Sequence, residues 1–410
     1  MTLDRRVVVT GIGFLSPVGN TLSELSWAIQ NDLSGIRKMP EWGKIQNLRT
    51  KVAGICQHVD ESKIPRAYRR TMGRVAILAA LAAKEAVVDS GLSENDIASS
   101  HCGVSFGSTE GSSGAMENFV RQAFGNMSLK GLRSSSYLKF MSHTCAANLA
   151  IMLKTRGPLI ASCTACVSGS QGIGFGYEAI KQKRADIMIA GGSEEMHFID
   201  AGIFEIMRTT STKYNDRPEA TPRPFDRARD GLVVSEGGAC LVLEGYEHAR
   251  KRNAHIYAEV LGFGNNCDGA HLTHPSEDGL SDVMRNALAE ARLNVDDIGH
   301  INAHATGTEA GDIAEANAIH AVFGNRTPVS GFKGYLGHTL GACGGIESII
   351  TILMLSEQFI GPTKNLDEPD TRCAPINHVL HEARDHHFTI GMNNNFAFGG
   401  INTSLIFSLI

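Results

Sequence analysis

Short β-branched runs alternate with longer helical ones along this chain, and after about residue 265 the alternation starts again. No other feature narrows the fold as much. Strand–helix alternation favours sheets covered by their connecting helices, so an α/β fold with largely buried sheets is expected. The restart predicts two halves of similar design, residues 1–255 and 256–410. No short tandem repeat or low-complexity linker is present, so independently mobile domains are not expected.

In the first half, residues 6–10 read as a strand that breaks at Gly11 and Gly13. Residues 74–90 read as a helix with Ile77, Leu78, Leu81 and Val88 on one side, stopped by Gly91. Residues 102–105, 159–162, 186–190 and 239–244 read as strands and 166–183 as a Gly-rich helix, with a further strand over 256–262 ahead of the restart near 265. In the second half the spacing predicts helices over 278–292, 309–323 and 341–356. Strands are expected over 298–303, 387–392 and 403–409.

Of 410 residues, 42% are hydrophobic, enough for a full core, which excludes wholesale disorder. The balance of 38 basic against 43 acidic residues gives −5, so no global basic field draws the chain to nucleic acid or a membrane surface. No uninterrupted apolar run reaches about 18 residues, and the first eleven residues lack a signal-peptide core. Nine cysteines without framework spacing read as free thiols in a reducing cytosol. A cytoplasmic protein is therefore expected.

Four segments carry chemistry. In Ile160-Ala-Ser-Cys-Thr-Ala-Cys166-Val-Ser-Gly, a strand ends and Cys166 sits where a helix begins. Free N–H groups and the dipole at a helix N-terminus lower a thiol's pKa, which suits a nucleophile. Alternatives are a small buried core cysteine, or a redox pair with Cys163. His304 lies at a strand end in Asn302-Ala-His-Ala-Thr-Gly-Thr308. His338 sits in the glycine-rich stretch Gly331-Phe-Lys333-Gly-Tyr-Leu-Gly-His338. In Asn393-Asn-Asn-Phe-Ala-Phe398-Gly-Gly400, bulky rings beside paired glycines read as a loop that closes over a pocket.

Together these segments resemble the elongating β-ketoacyl-acyl-carrier-protein synthases, nearly end to end. Val7-Val-Val-Thr-Gly-Ile-Gly13, Ser211-Thr-Lys-Tyr-Asn-Asp216 and Arg223-Pro-Phe-Asp226 share in the likeness. The resemblance implies a thiolase-type fold, two pseudo-repeated halves in a five-layered α-β-α-β-α core. It implies a homodimer, or a heterodimer with a related ketosynthase-like subunit, and an acyl carrier protein as partner. Cys166 would be the nucleophile, with His304 and His338 binding the malonyl thioester carbonyl. Lys333 matches the family's lysine, and Asp312, Glu315 and Glu347 match acidic positions that support it. Thr306, Thr308 and Thr273 would hold the pantetheine arm. Phe398 would be the gate, and its N–H with that of Cys166 the oxyanion hole. An acidic carrier needs a basic dock. Arg66, Arg69, Arg70 and Arg74 cluster ahead of the 74–90 helix, and Lys130, Arg133 and Lys213 match positions flanking the family's active-site entrance; a solvated charged face is the alternative. No metal or redox cofactor is required, although a structural monovalent cation near Glu347 and Asn394 is compatible with the family.

The chain departs from the family pattern at His304-Ala-Thr-Gly-Thr-Glu309, at Ala397 and at Gly331-Phe-Lys-Gly-Tyr335. Glu110 falls where the family sets acyl depth with a small or apolar residue. A carboxyl there favours short, polar-ended or conjugated acyl chains, because an unpartnered buried carboxyl is costly. Ordinary chain elongation and a specialised polyene or polyketide synthase are the readings this leaves. A non-catalytic partner subunit would typically lack Cys166. Thiolases and initiating synthases would lack His338.

Overall fold

The computed structural model describes residues 5–125 and 127–410. The elements that frame the site begin with β1 (Val7–Leu15), α1 (Arg74–Ser90) and β2 (Cys102–Gly107). Helices α2 (Ser113–Gly125), α3 (Ser134–Phe140) and α4 (Thr144–Leu153) follow. The first half ends with β3 (Leu159–Ser162), α5 (Ser168–Lys181), β4 (Ile187–Glu194), α6 (Phe198–Ile206) and β5 (Gly237–Gly245). The second opens with β6 (Ala258–Cys267), α7 (Glu277–Ala291), β7 (His300–Ala303) and α8 (Glu309–Phe323). It closes with β8 (Pro328–Gly331), α9 (Cys343–Glu357), β9 (Ile390–Ala397) and β10 (Ile401–Ser408).

The strands are hydrogen-bonded in the order β8-β7-β9-β10-β6-β1-β5-β4-β2-β3, with Asn377–His378 beyond β8. Each half repeats one plan. β3, β2 and β4 pair in parallel, then β5 and β1 continue antiparallel. β8, β7 and β9 likewise pair in parallel, followed by antiparallel β10 and β6. The halves join where Val7–Val9 of β1 lies against β6. α1 and α4 cover one outer face, around Leu78, Phe106 and Leu149. α7 and α8 cover the other, around Met284, Ile301 and Ile319. α5 and α9 share a central core with strands of both halves. These are the five layers of the thiolase-type fold.

Several boundaries moved, each for a physical reason. β1 does not break at Gly11 and Gly13. A Cβ on either would stand 2.2 Å from a carbonyl oxygen of α1, so the glycines let helix and strand touch. β4 likewise continues through Gly191 and Gly192 to Glu194. Val88, expected on the covered side of α1, is 69% exposed. β9 lies later than expected because Asn393, Asn394 and Asn395 hide a buried strand behind polar side chains, which are hydrogen-bonded inside. The apolar stretch Leu340–Glu357 has the length and hydropathy of a membrane span, yet it is buried inside the fold.

Candidate active site

The repeat places the reactive groups. Cys166 lies in a 3-10 turn, Ala165–Val167, between β3 and α5. His338 lies at the corresponding place in the second half, between β8 and α9. His304 directly follows β7. Beside these groups the backbone enters the left-handed region at non-glycine residues: Ala165 (φ +50°), Ala305 (φ +37°) and Leu340 (φ +47°). Such conformations persist only where the surroundings over-determine them. At Ala305 the restraint is Glu315, which accepts the His304 N–H at 2.7 Å and the Ala305 N–H at 2.6 Å.

The hydrogen bonds fix both imidazole tautomers. The Leu340 N–H donates to His338 Nδ1 at 3.2 Å, so the His338 proton sits on Nε2, 3.0 Å from Cys166 Sγ. Lys333 Nζ lies 3.2 Å from His304 Nδ1, with Asn395 Nδ2 at 3.5 Å, and neither ammonium nor amide N–H can accept. His304 therefore also carries its proton on Nε2. Burial, then the Lys333 charge, lowers both histidines well below their ordinary range, and for His304 the other imidazole adds to this. The rings cross at 83° with centroids 5.2 Å apart. Two neutral N–H donors thus stand beside one buried thiol.

The same bonds argue against a metal here. Cys166, His304 and His338 have ligand atoms within 4.8 Å of one another. A metal-bound histidine needs its other ring nitrogen to donate. Here each Nδ1 faces a donor, so Nε2 keeps its proton.

Lys333 is fully buried, donates to Glu347 Oε1 at 2.5 Å and also to the His304 carbonyl. Asn395 Nδ2 donates to the other Glu347 oxygen at 2.6 Å. Of the three acidic residues expected to support the lysine, only Glu347 touches it. Glu315 restrains the His304 backbone, and Asp312 accepts from Phe225 N–H at 2.7 Å and Gly307 N–H at 3.0 Å. Backbone N–H groups in sharp loops are the acceptor's natural partners, which spacing alone does not reveal. A second expectation also needs correction. Burial pushes the Cys166 thiol up to about 12; Lys333 opposes this and Glu194 and Glu347 add to it. The free protein holds an S–H, and any thiolate formed there faces the His338 N–H.

A cavity of about 1170 Å³ opens onto Cys166, His304 and His338. Thr306, Thr308, Thr273, Phe398 and Lys213 also line it, as does Glu315. The Thr306 and Thr308 hydroxyls are 2.8 Å apart. Phe398 lies in the turn between β9 and β10, its ring 5.7 Å from that of Phe204, and Gly399 and Gly400 have positive φ. Glu110 is half-buried and lies outside this lining. It is not partnerless: Ser113 Oγ donates to it at 2.6 Å and lies 3.4 Å from Asp200 Oδ1. Burial, then the Glu110 hydrogen bond, pushes Asp200 up to about 9.

Among the expected docking residues, Arg66, Arg70, Lys130, Arg133 and Lys213 are exposed. Arg74 is not part of a free rim; its guanidinium holds Glu236 by two bonds of 2.6 Å. Arg69 lies 3.9 Å from Glu61. Two exposed arginines that the sequence did not mark, Arg49 and Arg208, also line the cavity. Neither has a motif around it; only the fold brings them there. At the place suggested for a cation, near Glu347 and Asn394, both side chains already have partners: Asn394 is bonded to Ser404 and Glu347 to Lys333. Asn302 Oδ1 and Asn393 Oδ1, on residues paired across β7 and β9, are among the buried side-chain atoms without a hydrogen-bond partner in the described residues.

A buried Cys–His–His set on a thiolase-type fold defines a condensing enzyme. The chain belongs to the β-ketoacyl synthase family: the model of its N-terminal domain matches residues 4–249 and that of its C-terminal domain residues 257–367. It is 40% identical over 418 residues to 3-oxoacyl-[acyl-carrier-protein] synthase 2 of Vibrio cholerae, covering 98% of this chain and 99% of that one. A β-ketoacyl synthase from Burkholderia phymatum superposes with a TM-score of 0.96 at 42% identity, covering 99% of this chain and all of the other. The ishigamide ketosynthase/chain length factor follows with a TM-score of 0.93 at 30% identity, over 99% and 100% of the two chains.

Proposed function

We propose that this enzyme condenses a Cys166-bound acyl group with a malonyl thioester on acyl carrier protein, releasing CO₂. The acyl group passes from a carrier thioester to Cys166 Sγ, and the carrier thiol leaves with the proton. The malonyl thioester carbonyl then faces the two Nε2–H groups. Loss of CO₂ leaves an enolate, whose oxygen takes both hydrogen bonds, and no strong base is needed. The carbanion attacks the Cys166 thioester. The tetrahedral oxyanion is held by the N–H groups of Cys166 and Phe398, and its collapse expels the Cys166 sulfur. The observation that carries this reading is the tautomer pair: two buried neutral imidazoles, each with its N–H freed toward the thiol. Thr306, Thr308 and Thr273 hold the pantetheine arm, and Arg66, Arg70, Lys130, Arg133 and Lys213 receive the acidic carrier. The enzyme works in the cytoplasm, with halves 1–255 and 256–410, as a homodimer or beside a related ketosynthase-like subunit.

Measuring CO₂ release and condensed product separately in Cys166→Ala tests the scheme. Condensation should vanish while malonyl decarboxylation persists, because the histidines act on the other substrate. Full condensation by the variant would remove Cys166 from its role.

A further inference from the structure

Cys343 is a second buried thiol beside the nucleophile, and nothing above uses it. It is the first residue of α9 and is 1% exposed. Its Sγ lies 3.1 Å from the Cys166 carbonyl oxygen, within hydrogen-bond reach for a sulfur donor. On its other side stand Asn395 Nδ2, 3.8 Å away, and ligand atoms of His304 and Glu347 within 4.8 Å. Cys343 thus bridges the turn that carries the nucleophile, in the first half, and the Lys333–Glu347–Asn395 network, in the second. Burial, then the Glu347 charge, pushes its thiol well above the ordinary range, so it stays an S–H donor.

We infer that Cys343 is a positioning residue for Cys166: its S–H holds the Cys166 carbonyl and so aims the nucleophile's sulfur at His338. Two consequences follow from the geometry. The carbonyl belongs to a turn already bent at Ala165 (φ +50°), so a donor on it fixes the direction of Sγ. A carbonyl dipole also opposes negative charge at its oxygen end, and a donated S–H softens that opposition when the Cys166 thiolate forms. The bond does not involve the imidazole nitrogens, so acyl transfer should feel its loss more than decarboxylation does.

The inference rests on Cys166 being the nucleophile, and the experiment separates the two. Iodoacetamide alkylation of the Cys166 peptide, read by mass spectrometry across pH, would be compared in wild type, Cys343→Ala and Cys343→Ser. Acyl transfer from a carrier thioester and CO₂ release from malonyl carrier would be followed in parallel. Removing the donor in Cys343→Ala should move the alkylation profile to higher pH. It should slow acyl transfer about two- to tenfold, the range of one neutral hydrogen bond, and slow CO₂ release less. Cys343→Ser keeps a donor and should recover most of the loss. An unchanged alkylation profile and acyl-transfer rate in Cys343→Ala would overturn the inference. So would an equal loss in both half-reactions with no recovery in Cys343→Ser, which marks Cys343 as packing alone. Undiminished acyl transfer in Cys166→Ala would instead sink the nucleophile reading.

Discussion

The proton on His338 Nε2 is there because the Leu340 N–H occupies Nδ1, and this assignment has a kinetic consequence. His338→Ala removes one of two donors to the enolate oxygen. CO₂ release from malonyl carrier should fall about ten- to a thousandfold, by the measure of oxyanion-hole deletions; an unchanged rate would make His338 structural. A second residue-scale prediction concerns Asp200, held up to about 9 first by burial. A carboxyl whose folded pKa is raised stays protonated in the fold while the unfolded chain ionises. Its contribution is complete below the unfolded value near 4 and is lost as pH rises toward about 9. Asp200→Asn lacks this titration. Its stability relative to wild type should improve from pH 5 to pH 9, and no such trend in denaturant melts would remove Asp200 from the buried pair.

Among the elements, α5 and α9 meet at their N-terminal ends, and glycines make that approach. A Cβ at Gly169 would stand 2.7 Å from Gly341 O and 3.2 Å from Gly345 N, both backbone atoms with nowhere to retreat. Gly169→Ala should therefore cost about 1–3 kcal/mol in chemical denaturation, the usual size of overpacking, and displace the turns bearing Cys166 and His338. Full stability with full activity would show that the layers have slack. The same contact explains what the sequence revealed and what it hid. The Cys–His–His order and the restart near 265 were legible because each reactive residue sits at an element boundary marked by small residues. Cys343, Asp200 and Arg49 were not legible, because their partners lie far along the chain. Periodicity also stopped at Gly11 and Gly191, where a missing side chain serves packing between layers rather than a turn.

At the scale of the whole molecule, a net charge of −5 should repel an acidic partner, so docking depends on where the cations stand. The structure divides the basic residues sharply. Arg74 is committed to Glu236 and Arg69 leans on Glu61, so neither is available without breaking an internal pair. Arg66 begins the short helix Arg66–Arg69 and Arg70 caps its end, both exposed, and Lys213 lines the cavity. Arg66→Glu with Arg70→Glu should therefore raise the KM for carrier-protein substrates and leave kcat nearly unchanged. Small pantetheine thioesters, which reach the cavity without touching the rim, should be turned over as before. The difference should shrink with added salt, because exposed charges are screened beyond about 8–10 Å at physiological ionic strength. Arg74→Glu should behave differently: it leaves Glu236 buried against a like charge, so the melting temperature should fall and both substrate types should suffer alike. Equal loss on both substrates in the Arg66/Arg70 variant, or a KM indifferent to salt, would place the carrier's dock on another face of the molecule.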